Sequence, residues 1–151
     1  MGTGMSLVQL NLSGNTMAAH IAELEVGTYK KAHRHQAAAH IIWLSGMGYT
    51  FLWNEKGERM RLDWKKHSLV SPPENWFHQH FNLSSEPARH VALRRGLPHV
   101  GRDYKPWLDV KLGGDQIEYE DEEPDIREIY EEELKKAGIP CRMPAVRRKV
   151  A

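Results

Sequence analysis

The sequence predicts an all-β domain, a sandwich or small barrel, that ends in one α-helix. Short segments rich in β-branched and aromatic residues recur about every 8–12 residues through the first two thirds of the chain, each closed by turn formers. The apolar spacing then changes from the period of a strand to that of a helix. A chain of 151 residues, 40% hydrophobic and 27% charged, can bury one core without disulfides.

The elements follow in order. Residues 7–12 alternate and suit an edge strand, and residues 21–26 alternate and stop at Gly27. Residues 41–44 end at Ser45-Gly46-Met47-Gly48. Residues 49–53 run into Asn54-Glu55-Lys56-Gly57, a hairpin turn from which residues 59–62 return. Residues 68–70 precede Pro72-Pro73, which halt a strand. Residues 76–82 and 90–93 complete the set. Beyond them Pro124 suits a first helical turn, Ile126, Ile129, Tyr130 and Leu134 fall at helical spacing, and Gly138 with Pro140 ends the run. The expected organisation is a β-domain over residues 1–107 and an acidic extension over 108–151. Its amphipathic helix, at about 124–137, must dock its apolar stripe on the barrel or on another subunit.

A net charge of +1 gives no general attraction to nucleic acid or anionic membranes. The charge is uneven, however. Thirteen of the 21 Lys and Arg but only eight of the 20 Asp and Glu lie up to Trp107. The acidic block at 118–123 reads either as a docking surface or as a solvated loop before the helix. Cys141 is the single cysteine, so no internal disulfide forms and a cytoplasmic location is expected. No apolar run approaches the roughly 20 residues of a membrane span, and no signal peptide is visible. A nucleophile elbow, a P-loop and a dinucleotide fingerprint are all missing from the sequence.

The histidines carry the chemistry. His33 and His35 form an H-x-H pair at an expected strand start, where side chains two apart share a face and can reach one ion. His40 follows after Gln36-Ala37-Ala38-Ala39. Far downstream Trp76, His78, His80 and Asn82 share one face of a strand, with Phe77, Gln79 and Phe81 on the other. Two such clusters on β segments of one short domain point to a shared metal site. His20, His67, His90 and His99 lack partners at ligand spacing and are expected to be structural or exposed.

These residues resemble the two motifs of the cupin superfamily. The first is G-x5-H-x-H-x(3,4)-E-x6-G. Here Gly27, His33 and His35 fall in register, His40 stands where the family usually has Glu, and Gly46 follows one residue early. The second is G-x5-P-x-G-x2-H-x3-N. Pro73, His78 and Asn82 match it, with His67 and Asn75 at its two glycine positions. The resemblance covers about residues 20–95. It implies a cupin double-stranded β-helix, a jelly-roll barrel with the one C-terminal helix appended. It also implies a divalent metal ion on His33, His35 and His78, with His40 as the expected fourth ligand. The strand at 76–82 is further similar to that of gentisate-type cupin dioxygenases, in which a second histidine follows the ligand by two.

The function this implies is an Fe(II) dioxygenase acting on a small carboxylate-bearing substrate, phenolic acids included. The alternatives are a non-redox decarboxylase, lyase or isomerase, and a non-catalytic small-molecule-binding cupin. Iron(II) is favoured, with Mn, Ni, Zn or Cu as other occupants of an imidazole site. His80 would hydrogen-bond substrate, relay protons or orient a ligand. Trp76, Asn82 and Trp43 would line the substrate pocket, plain core being the other reading of the two tryptophans. Of Arg94 and Arg95, apolar Val91 and Leu93 favour Arg95 as the one on the buried face, there to pair with a substrate carboxylate. Phe77 and Phe81 would face away from the metal and need cover from the tail helix, another strand or another subunit. The family's common arrangement makes a homodimer the expected assembly, a different second subunit being the other option.

Overall fold

The computed structural model describes residues 2–11, 16–36, 38–95 and 108–146. All eight expected strands form: β1 (Met5–Asn11), β2 (Met17–Leu24), β3 (Ala39–Trp43), β4 (Met47–Trp53), β5 (Arg59–Lys65), β6 (Leu69–Val70), β7 (Phe77–Asn82) and β8 (Ala88–Arg95). They make two antiparallel sheets, one ordered β1-β2-β8-β3-β6 and the other β5-β4-β7. The helix α1 (Pro124–Ala137) follows a short 3-10 turn at Val110–Leu112. No helix among the described residues is long and apolar enough to cross a membrane.

Alternation assigns the layers. On the five-stranded sheet Leu24, Ala39, Ile41, Trp43, Val70, Ala88 and Ala92 turn inward and meet Trp64 of β5, forming the core between the sheets. The outer face carries Val8, Ile21, Val91, Ile42 and Leu69, in register across all five strands. This row places Val91 and Leu93 outside the barrel, opposite to the expected parity.

In the three-stranded sheet β4 and β7 are buried on both faces, whereas β5 is exposed apart from Trp64. Tyr49, Phe51 and Phe81 point away from the first sheet and pack under Ile126, Tyr130 and Leu134 of α1, with Tyr29, Tyr119 and Met143. The tail helix thus supplies cover for Phe81. Glu123 precedes Pro124 in the first turn, and Gly138, at φ 69°, ends the helix by donating its N–H to Leu134 and Lys135 carbonyls. Tyr130 Oη lies 2.9 Å from the Thr28 carbonyl and 2.8 Å from that of Asn82, so the helix is tied to both segments that build the site.

The motif glycines have a backbone reason. Gly27 sits at φ 73°, and a Cβ there would lie 2.3 Å from the Pro140 carbonyl oxygen. His67 and Asn75, at φ 71° and 61°, are the non-glycine residues of positive φ among the described residues. They occupy the two positions where the second motif has glycine, so the left-handed turns persist although the glycines do not.

Leu134 is 1% exposed at the centre of the helix contact. Leu134→Ala is expected to lower unfolding stability by about 2–5 kcal/mol in urea titration, whereas exposed Glu128→Ala changes it little. Equal small effects would mean that the helix does not hold the sheet.

Candidate metal centre

The H-x-H segment is not a regular strand. It runs extended along the edge of β7, with Tyr29 opposite Phe81 and His33 opposite His78. Lys30 N–H donates to the His80 carbonyl at 3.0 Å, and His33 and His78 exchange both backbone bonds, at 3.2 and 2.9 Å. Residues 31 and 32 therefore face the single residue Gln79, which is a β-bulge. The extra residue breaks alternation, so Lys30 and His33 share a face although they are three apart. The chain's later part seals the other side: Arg34 N–H donates to the Asp115 carbonyl and Ile117 N–H to that of Ala32.

This pairing brings three imidazoles together. One ligand nitrogen from each of His33, His35 and His78 lies within 4.8 Å of the others. Their ring centroids are 4.2 Å apart for His33 and His78, 4.8 Å for His35 and His78, and 5.9 Å for His33 and His35. Nδ1 of His33 is 3.2 Å from the Lys31 carbonyl and Nδ1 of His78 is 3.2 Å from that of Trp76. A carbonyl only accepts, so both Nδ1 atoms carry the proton and the lone pairs are on Nε2, that of His33 facing Lys30 Nζ. Burial, then Lys30 and the neighbouring imidazoles, hold the His33 pKa well below its usual value. Burial, then His35 and Lys30, do the same for His78. Neutral imidazoles are the form that binds metal, so the donor set fits a divalent ion.

His40 stands apart from the three. It alternates with the buried Ala39 and Ile41, its side chain is exposed, and Nδ1 meets Ser71 Oγ at 2.7 Å. Strand parity turns it to the outer face, leaving three histidines in place of the expected four.

His80 lies inside, 1% exposed, its ring centroid 5.6 Å from that of His78. Its Nδ1 is 2.8 Å from Thr50 Oγ1, which also accepts from Trp64 Nε1 at 3.1 Å. All three groups are satisfied when the hydroxyl proton goes to Nδ1, which leaves His80 with an Nε2–H donor. Burial, then His78 and His90, hold its pKa well below the usual value, so the ring is neutral.

Trp43 is fully buried, stacked on Trp64 and edge-on to His80 and His90. Its Nε1 has no hydrogen-bond partner. Trp76 is half-buried just ahead of β7. Asn82 differs from expectation. Its Nδ2 contacts the Leu24, Glu25 and Glu86 carbonyls at 3.0–3.2 Å, and its Oδ1 accepts from Ser84. That amide fastens backbone and is not offered to a ligand.

The cationic groups also differ. Arg94 alternates with the buried His90 and Ala92 and shares their inner face, whereas the Arg95 side chain and His99 lie outside the described residues. His90 and His20, expected to be structural or exposed, pack in the same interior, their rings 5.9 Å apart. Lys30 was not foreseen at all. It is 3% exposed, with Nζ 3.1 Å from His33 Nε2, and burial followed by Arg94 pushes its pKa down to about 7. Lys30 and Lys31 are adjacent in sequence, and the bulge aims the first inward.

No protein-family model matches the sequence, and no curated protein matches it either. Solved structures do resemble it. Oxalate decarboxylase from Bacillus subtilis superposes with a TM-score of 0.56 at 15% identity, over 63% of this chain and 26% of that one. The capsular polysaccharide assembling protein CapF from Staphylococcus aureus gives 0.57 at 14%, over 64% and 29%. The plu4264 protein from Photorhabdus luminescens gives 0.53 at 13%, over 62% and 77%. The matched region spans under a third of the first two proteins. The first two are cupin-fold proteins, and the fold of this chain is the cupin jelly roll.

Burial gives a pH signature. Burial, then Lys30 and His20, hold the His90 pKa well below 6.5, and burial, then Lys30, lowers that of His20 to about 3. The unfolded chain therefore takes up protons near pH 6.5 that the folded chain refuses, and stability falls as pH drops below that value. The metal-free protein should lose Tm as pH falls from about 7.5 toward about 5, most steeply below about 6.5, with His90→Gln giving a shallower loss. A Tm indifferent to pH across this window would contradict the burial.

Proposed function

We propose that this chain is a metal-dependent cupin enzyme, an iron(II) dioxygenase acting on a small carboxylate-bearing substrate, phenolic acids among them. The observation that supports this best is the donor set, three imidazoles with no carboxylate in the group. His33, His35 and His78 would hold the ion, His33 and His78 through Nε2. An octahedral ion so held keeps three positions and its full charge. Iron(II), when bound, supplies a site at which substrate and dioxygen meet and exchange electrons.

The chain's own groups do the rest. Neutral His80 offers Nε2–H to a substrate oxygen, and Thr50 fixes the ring that offers it. Arg94 and Lys30 set positive charge on the interior face, which favours an anionic ligand. Trp43 stacks on Trp64 and meets the His80 ring edge-on, which packs that ring from one side.

A non-redox decarboxylase, lyase or isomerase is the second reading. The buried Lys30 ammonium favours it, since positive charge stabilises a developing enolate or carboxylate anion.

Oxygen consumption and product formation by the iron-loaded protein with a panel of hydroxybenzoates and small 2-oxo acids decide between them. The dioxygenase reading expects uptake of dioxygen in step with product, falling at least about 100-fold in His33→Ala and His78→Ala and retained in His40→Ala. Turnover under nitrogen, equal with manganese, would replace it by the non-redox reading. Tight binding without product under either atmosphere would leave a binding protein.

A further inference from the structure

Lys30 sits where an ion would have to compete with it. Its Nζ lies 3.1 Å from His33 Nε2, and His33 has committed its other nitrogen to the Lys31 carbonyl. An ammonium has donors only, so in this contact Nζ–H donates to the Nε2 lone pair. A divalent ion needs that same lone pair and carries the same sign of charge. Both cannot hold it. The lysine stem has four rotatable carbons, so the ammonium can leave without movement of the bulge.

The interior on this side of the barrel is rich in donors. Trp43 Nε1 is fully buried without a hydrogen-bond partner, His80 has its Nε2–H to give, and Arg94 adds positive charge from β8. Beside a divalent ion such a lining selects an anion, and a displaced ammonium would find its counter-charge there.

We propose that Lys30 couples the two ligands of this site: its ammonium holds His33 Nε2 until a divalent ion takes that nitrogen, then meets the carboxylate of the ligand bound beside the ion. The inference rests on the metal-dependent reading above and deepens it by naming the residue that receives the substrate's carboxylate. Two consequences follow from linkage. Metal alone binds against Lys30, and metal and carboxylate each tighten the other by the same factor.

Cobalt(II) affinity of the full chain, by competition with a chromophoric chelator, tests this with and without acetate. Lys30→Met is expected to bind cobalt about tenfold tighter than the unaltered protein in the absence of acetate. Acetate should tighten cobalt about tenfold in the unaltered protein and hardly at all in Lys30→Met, while neutral imidazole affects both alike. Lys30→Leu, with circular dichroism on each variant, guards against a folding defect. If cobalt binds and is lost in His78→Ala, yet both Lys30 variants keep the original affinity and acetate response, the coupling is wrong and the metal site stands. If the unaltered protein binds no cobalt, the metal-dependent reading falls and this inference with it.

Discussion

Two residues of the chain ahead of His33 face one residue of β7, and this single-residue mismatch sets the site. Without it, strict alternation would put Lys30 and His33 on opposite faces. With it, both face the interior opposite His80 and His78. The bulge also lies between two fastenings. Tyr130 of α1 reaches the Thr28 carbonyl before it, and the segment at 115–117 pairs with Ala32 at its end and Arg34 after it. The tail is therefore part of the machinery that fixes the site, Gln116 pairing along His33, although none of its described residues is in the group of three histidines.

Burial of β7 on both faces explains the chemistry that follows. Every residue from Phe77 to Asn82 is buried, so each polar one must find a partner within the protein. Gln79 donates to Glu122 at 3.1 Å, and Tyr29 donates to the same carboxylate. Those bonds lie on the helix side, away from the imidazoles. On the inner side, desolvation keeps the histidines neutral and able to ligate. A carboxylate on that side would lower the charge of a bound ion; its place in the first motif is held by His40, which strand parity turns outward. What remains is a neutral triad with cations nearby, a setting that rewards an anionic ligand.

Much of this was legible in the sequence, and the exceptions share a cause. The eight strands and the helix followed from period and turn residues, because those depend on local chemistry. The convergence of His33, His35 and His78 followed from motif spacing. Side-chain direction did not. Val91 and Leu93 are apolar because they belong to an aliphatic row on the outer face, so apolarity misjudged the parity of β8, whose inner face carries Arg94. Lys30 was hidden by the bulge, which leaves no mark in composition. Asn82 was read for its chemistry alone, whereas the carbonyls of Leu24 and Glu25 at the end of β2 and of Glu86 in the turn after β7 claim its amide. The acidic block at 118–123 likewise divides: Glu118 pairs with Lys31, Asp121 pairs with Lys111, and Glu122 is buried.

Anomalous diffraction from crystals grown with cobalt or iron tests the central claim most directly. The account expects one strong peak about 2.0–2.2 Å from a nitrogen of each of residues 33, 35 and 78, with His40 still turned toward Ser71. A peak elsewhere, or a loaded crystal whose three rings point apart with no ion between them, would contradict it.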